Sequence, residues 1–293
     1  MSSKAYGIDV ASYQATDMAA YHKAGAIFAI VKLTEGTDYL NPKASKQVDS
    51  SRASHLYTHA YHFARFGSSV SQAKKEATYF IKVAKKEDIS QKRMLWLDWE
   101  SGSGNVVTGP KAANTAAILA FMDVVKAAGW RPGLYSGASL MRSAIDTKQV
   151  VKKYGTCLWV ASYPTMSAVS TADFGYFPSM DGVAIWQFTS NWKGLSVDGN
   201  VALVDLNGET KAAPKPKPKP TTTEFKGVVK VNNLGTRKVS WKVRLLSKDG
   251  HYTDSYVPQG SRWKTSEVAT IKGKKCYLIG KDLWIPAEYA TVE

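Results

Sequence analysis

Over its first 210 residues the chain alternates short apolar runs with longer stretches of helical periodicity. "YGIDVAS", "IFAIVKLTEG", "YTHAYHFA", "RMLWLDWE", "RPGLYSG", "CLWVASY" and "VAIWQFTS" are rich in β-branched and aromatic residues and read as strands. Helical patterns lie between several of them. In "GPKAANTAAILAFMDVVKAAG", Pro110 suits a first helical turn, Ile118, Phe121, Met122 and Val125 recur at helical spacing, and Gly129 suits the stop. Repetition of strand, helix and strand predicts parallel strands joined by crossovers. Seven or eight strands in a segment of this length favour an α/β architecture, a modified and incomplete (β/α) barrel lacking some helices. An open doubly wound sheet is the alternative, although the glycine-rich fingerprint of a dinucleotide fold is absent after the first strand.

The texture changes after residue 210. Residues 211–223, "KAAPKPKPKPTTT", alternate proline with lysine, which removes backbone donors and buries nothing, so they read as an extended, semi-stiff linker. From 224 to 293, "GVVKVNN", "KVSWKVRLLS", "WKTSEVATI", "KCYLIG" and "LWIPAEYA" are short strand-like runs separated by the turn signals "KDG", "PQG" and "KGKK". This predicts a small all-β barrel. The organisation expected is therefore a large domain over 1–210, a linker, and a small domain over 224–293.

Apolar residues make up 44% of the chain and aromatics 11%, enough for a sizeable core in a folded protein. No apolar run approaches membrane-spanning length, and "MSSKAYGIDV" lacks the apolar stretch of a secretory signal. Cys157 and Cys276 lie on opposite sides of the linker, which argues against a disulfide framework or a cysteine metal site. The net charge of +15 points to a polyanionic partner. The excess is densest late in the chain: residues 224–293 carry 13 basic and seven acidic side chains, and the linker adds four lysines. Nucleic acid has no supporting motif here. A bacterial wall with anionic polymers is another candidate, and charge by itself does not choose.

Carboxylates sit at the ends of several predicted strands: Asp9 in "GIDVASYQ", Glu35 in "VKLTEG", and Asp98 with Glu100 in "LWLDWES". In a barrel these ends converge on one mouth, where active sites of this architecture lie. Asp98 and Glu100 are two apart, so they share a strand face about 6.7 Å apart along it, with Trp96 on the same side and Leu95, Leu97 and Trp99 opposite. A carboxylate beside another is held protonated to higher pH, as a general acid requires, and such pairs equip glycoside hydrolases. The bland reading of acids at strand ends is helix capping or pairing with surface lysines. Six tryptophans in the first domain offer stacking faces for sugars, though several must be core.

In order, "YGIDVASYQ", "FAIVKLTEG", "AYHFA", "LWLDWES", "PGLYSG", "LWVASYP" and "AIWQFTSNWKGLSVDGNVALVDLN" resemble glycoside hydrolase family 25 lysozymes, the Chalaropsis-type muramidases, over nearly all of residues 4–208. The resemblance implies cleavage of the β-1,4 bond between N-acetylmuramic acid and N-acetylglucosamine, with no metal or organic cofactor. It makes Glu100 the general acid and Asp98 the residue that orients or polarises the substrate's N-acetyl group. Asp9 matches a cleft acid, and Asp198 matches the family's closing-segment acid in competition with Asp205. Glu35, Tyr61, Tyr135, Trp186 and Gln187 match cleft positions more loosely. His62 either lines the floor or is a hydrogen-bonded structural residue; His22, His55, His59 and His251 read as structural or surface. The ending "IKGKKCYLIGKDLWIPAEYATVE" resembles surface-layer-type and SH3-like wall-binding modules, with Trp241, Trp263 and Trp284 as candidate exposed aromatics. Together these features imply a phage endolysin that waits in the host cytoplasm for holin-type export. Its partners would be peptidoglycan and associated anionic polymers, with no nucleic acid and no membrane insertion. A chitinase-like or endo-N-acetylglucosaminidase barrel, a bacterial autolysin and a non-catalytic wall-binding protein are the rival readings.

Overall fold

The computed structural model describes residues 5–207, 222–232, 242–250, 252–271 and 273–293. The chain divides into two compact units, Met1–Glu209 and Thr210–Glu293.

In the first unit, strands β1 (Ala5–Val10), β2 (Phe28–Glu35), β3 (Tyr39–Leu40), β4 (Tyr57–Phe63), β5 (Met94–Asp98), β6 (Arg131–Gly137), β7 (Leu158–Ala161), β8 (Val183–Thr189) and β9 (Asp198–Ala202) form one sheet. Their order is β1-β9-β8-β7-β6-β5-β4-β2-β3, and β1 also pairs with β2. The sheet therefore closes on itself, with β3 appended to β2 as a hairpin. All seven runs read as strands are present and parallel, whereas β9 runs antiparallel to both neighbours and closes the ring. Helices α1 (Ala19–Lys23), α2 (Ala44–Ala53), α3 (Val70–Lys86), α4 (Lys111–Ala127), α5 (Ala138–Ser143) and α6 (Thr147–Tyr154) serve the crossovers up to β7. Between β7 and β8 there is a single 3-10 turn, Phe174–Tyr176, so the barrel is incomplete on that side. Pro110 sits at the cap of α4, and Gly129, at φ 95°, follows its end.

Alternation along the strands divides the core in two. On β5, Leu95 and Leu97 face the helices beside Phe80 and Phe121, while Met94 and Trp96 point into the barrel with Phe28, Tyr61, Tyr135 and Trp159. Two indole rings, Trp96 and Trp159, meet edge to face at 5.7 Å inside the barrel. Rings of this size leave no room for side chains at the paired positions of neighbouring strands. A Cβ at Gly133 would lie 2.1 Å from the Trp96 ring, and one at Gly7 would lie 2.5 Å from Phe28. The amino end of the barrel is closed by Leu206, whose carbonyl accepts from Arg131, while Arg93 holds the Asn207 carbonyl at 3.1 Å.

The second unit is a seven-stranded antiparallel sheet of β10 (Thr222–Val231), β11 (Lys242–Leu246), β12 (Tyr252–Pro258), β13 (Arg262–Ile271), β14 (Lys274–Gly280), β15 (Leu283–Pro286) and β16 (Ala290–Val292). Thr222 and Thr223, expected as the end of the linker, already pair with Ala269 and Val268. The rest of the linker, residues 211–221, lies outside the described residues, as do Trp241 and His251. Val229, Val243, Leu245, Val257, Tyr277 and Ile285 form the core. Trp284 is buried and Trp263 half-buried against that core, which corrects the expectation that they stand exposed. Among the described residues of this unit the exposed aromatics are Tyr252 and Tyr256 on β12, with the Arg244 guanidinium 5.7 and 5.8 Å from their ring centres.

Candidate active site

The barrel mouth lies at the carboxyl ends of the parallel strands, and the end of β5 is its best-anchored part. Trp99 points outward into the helix-side core, its Nε1 donating to the Gly67 carbonyl at 3.0 Å. Its backbone N–H donates to Tyr135 at 3.0 Å, and its carbonyl accepts from Ser136 Oγ at 2.8 Å. With Trp99 fixed outward, Asp98 and Glu100 on either side turn inward. Beyond them Asn105 donates to the Glu100 carbonyl at 2.7 Å and accepts from the Gly67 N–H at 2.8 Å, closing the loop that follows.

Asp98 is buried, and its Oδ1 has no hydrogen-bond partner. Burial raises its pKa well above the usual carboxylate range, Glu100, Asp9 and Glu35 add repulsion, and Lys32 opposes them. Burial followed by Asp9 raises Glu100, again against Lys32. Asp9 pairs with Asp198 across the β1–β9 register. Its Oδ2 accepts from Gln187 Nε2 at 2.8 Å and Asn200 Nδ2 at 2.7 Å, and burial still raises it. Burial, the charge of Asp9 and a hydrogen bond to it push Asp198 up to about 9, so Asp198 donates and Asp9 accepts. Gln187 Oε1 accepts from Tyr135 at 3.0 Å and also from Tyr163. Tyr61 lies inside the barrel, its ring 6.1 Å from Trp159.

Glu35 stands at the rim in a different state. Its burial works upward, but Lys32 at 2.7 Å and Arg65 at 2.5 Å hold it below the usual range. Arg65 continues to Asp38 at 3.2 Å.

Two expected cleft residues lie elsewhere. Trp186 is wholly buried on the outer side, donating to the Ser162 carbonyl at 2.9 Å among Phe174, Phe177 and Phe188. Neighbours on a strand face opposite ways, so with Gln187 inward Trp186 must point out. Asp205 follows Ala202, which pairs with Ala5 at the start of β1, whereas Asp198 pairs with Asp9 near its end. Antiparallel β9 thus carries Asp205 to the closed end, near Arg131, away from the mouth. His62 is structural: its ring nitrogens meet Thr34 at 2.8 Å and Glu76 at 3.0 Å, and it packs between Phe80 and Phe121. His59 is buried in the barrel, accepts from the Met94 N–H at 3.0 Å, and is driven down to about 3 by burial and then Arg93 and Arg131. Residues missed from sequence are Lys32, Tyr163 and Asn200. Asn200 sits in the quoted "DGNV", where its even spacing from Asp198 was the available signal. Among the described residues, no group of three or more His, Cys, Asp or Glu is arranged to hold a metal ion.

The family profile described as Glycosyl hydrolases family 25 matches residues 8–196. A lysozyme of Lactococcus phage mv1 is 71% identical over 180 residues, covering 61% of this chain and 89% of that protein. A D-alanyl-L-alanine endopeptidase of Streptococcus phage B30 is 30% identical over 251 residues, covering 85% of this chain and 54% of that protein. The chain therefore spans about half the length of this second relative. Among solved structures, the modular Cpl-1 endolysin complexed with a peptidoglycan analogue superposes with a TM-score of 0.60 at 25% identity, covering 96% of this chain and 82% of that one. A closed barrel with inward acids at its mouth and a profile match across most of that barrel lead to one assignment: the chain belongs to glycosyl hydrolases family 25.

Proposed function

We propose that the first unit is a peptidoglycan muramidase, cleaving the β-1,4 bond between N-acetylmuramic acid and N-acetylglucosamine, and that the whole chain acts as a phage endolysin on the host wall. The observation that carries this reading is the inward convergence of Asp9, Asp98, Glu100 and Asp198 at one mouth. Raised carboxyls there stock the site with protons near neutrality, which bond cleavage with a poor leaving group requires.

In the proposed mechanism Glu100 gives its proton to the glycosidic oxygen as that oxygen leaves. The 2-acetamido oxygen attacks the anomeric carbon, so no enzyme nucleophile is needed. Asp98, with Oδ1 unpartnered in the protein, accepts the acetamido N–H and turns its oxygen toward that carbon. Water then opens the cyclic intermediate and returns a proton to Glu100, restoring the starting state. Asp9, held by two side-chain amides, and Asp198 fix the charge and shape of the opposite wall. A thiol-dependent peptidase reading finds no support, because Cys157 and Cys276 are buried and burial pushes the Cys157 thiol up to about 12. The phage origin of the similar lysozyme supports the endolysin reading, with release to the wall at lysis. No helix among the described residues is long and apolar enough to cross a membrane. The second unit is proposed to hold the enzyme at anionic wall polymers, raising its local concentration.

The test is Glu100→Gln. It preserves shape and removes the transferable proton, so turnover of soluble peptidoglycan fragments falls by about 10² or more while the melting temperature stays close to that of the parent protein. Near-normal turnover by the folded variant refutes the assignment.

A further inference from the structure

Carboxyls dominate the barrel mouth, and a half-buried cation faces them. Lys32 is the basic residue whose field reaches both Asp98 and Glu100. A regular strand would not put it there together with Glu35, because residues three apart on β2 face opposite sides. The pairing of β2 with β4 breaks register between Lys32 and Thr34. Lys32 stands opposite Tyr61 and Glu35 opposite Phe63, both inward, while Leu33 goes to the outer core and Thr34 stands opposite His62. A bulge of this kind re-aims a side chain. Lys32 continues the inward alternation of Phe28 and Ile30, and the bulge turns Glu35 back into the mouth beside the ammonium.

The ammonium is held firmly. Nζ lies 2.7 Å from Glu35 Oε2, 4.8 Å from the Phe63 ring centre and 5.5 Å from that of Tyr39, with the side chain 14% exposed. Glu35 is gripped by Arg65. Charge therefore alternates outward from the centre through Asp98, Lys32, Glu35, Arg65 and Asp38. The ionisable groups around the acid pair are Asp9 on β1, Lys32 and Glu35 on β2, Tyr61 on β4, Tyr135 on β6, Asp198 on β9 and Tyr163 after β7. Of these, Lys32 alone is basic.

We propose that Lys32 is a positioning residue for the acid pair: held by Glu35, Phe63 and Tyr39, it supplies the positive field that lets one carboxyl of the pair ionise while the other keeps its proton. Buried among other acids and without a cation, the pair would stay doubly protonated into the neutral range, leaving no anion beside the reacting sugar. A doubly ionised pair would have no proton to give. The inference rests on the proposed roles of Asp98 and Glu100 for its effect on turnover, but the titration of the two carboxyls is independent of those roles.

The experiment has two arms on the full chain. In the first, pH–rate profiles on soluble peptidoglycan fragments are recorded for the parent, Lys32→Met, Lys32→Arg and Glu35→Gln. Loss of the cation in Lys32→Met moves both limbs of the bell to higher pH by about one unit, which lowers kcat/KM about tenfold at a fixed pH on the acid side. Lys32→Arg keeps the charge and leaves the limbs in place. Glu35→Gln removes an anion and releases the field of Lys32, so the limbs move to lower pH. In the second arm, carboxyl carbon resonances of Asp98 and Glu100 are titrated in the same proteins and shift in the same directions. A merely structural lysine would lower Tm and maximal rate without moving limbs or titrations. Unmoved titrations in folded Lys32→Met overturn the proposal, as do unmoved titrations in Glu35→Gln where the methionine variant does not fold. An inactive parent whose carboxyls nevertheless shift as stated would sink the muramidase reading and leave this one standing.

Discussion

At Asp198, burial and the neighbouring Asp9 push the carboxyl up to about 9, against an ordinary 3.8. The folded chain thus holds a proton there at neutral pH and the unfolded chain does not. Between those two values the unfolded state binds fewer protons, so this group makes stability fall as pH rises. Asp198→Asn removes that cost. Thermal melts from pH 4 to 9 are expected to show a flatter dependence and about 1 to 2 kcal/mol of added stability at pH 7, equivalent to about 2–4 °C per kcal/mol, together with slower turnover. Melts that coincide with the parent at every pH would mean that Asp198 is ionised. Asp98 and Glu100 were legible as a pair because Trp99, a large apolar residue between them, demands the outward core. Trp186 misled because a tryptophan beside an inward glutamine invites a sugar-stacking reading, although adjacent strand residues cannot both face the cleft.

Among the elements, β6 shows how interior packing constrains sequence. Gly133 faces the Trp96 indole so closely that a methyl group there collides with the ring. Gly133→Ala is expected to destabilise the first unit by about 1–3 kcal/mol through overpacking, read as a lowered denaturation midpoint. An unchanged midpoint would show that the barrel interior can shift around Trp96. The seven parallel strands were readable because each is buried on both faces and therefore nearly continuous in apolar residues. Strand β9 was not, since "DGNVA" is short and contains a glycine, and its reversed direction is what removed Asp205 from the mouth. Strand β12 was hidden because it is an edge strand whose Tyr252, Asp254 and Tyr256 are exposed, leaving little apolar period to detect. Lys32 escaped for a third reason: counting back from Glu35 by twos makes Leu33 the inward residue, and only the bulge reverses that parity.

For the molecule as a whole, the charge of +15 and the two units frame the proposed action at a wall. With Trp284 in the core, the described residues of the second unit offer Tyr252 and Tyr256, flanking Arg244, for aromatic contact. The full chain is expected to pellet with purified walls, to pellet less as salt screens the basic surface, and to lose several-fold more in a Tyr252→Ala/Tyr256→Ala variant whose turnover of soluble fragments is unchanged. Full-length protein left in the supernatant at low salt would contradict a holding role. Mass spectrometry of the sugar ends released from purified peptidoglycan reads directly which bond is cut. New reducing ends on N-acetylmuramic acid are expected from the parent protein and none from Glu100→Gln. New reducing ends on N-acetylglucosamine, or equal release by the folded glutamine variant, would contradict the muramidase reading.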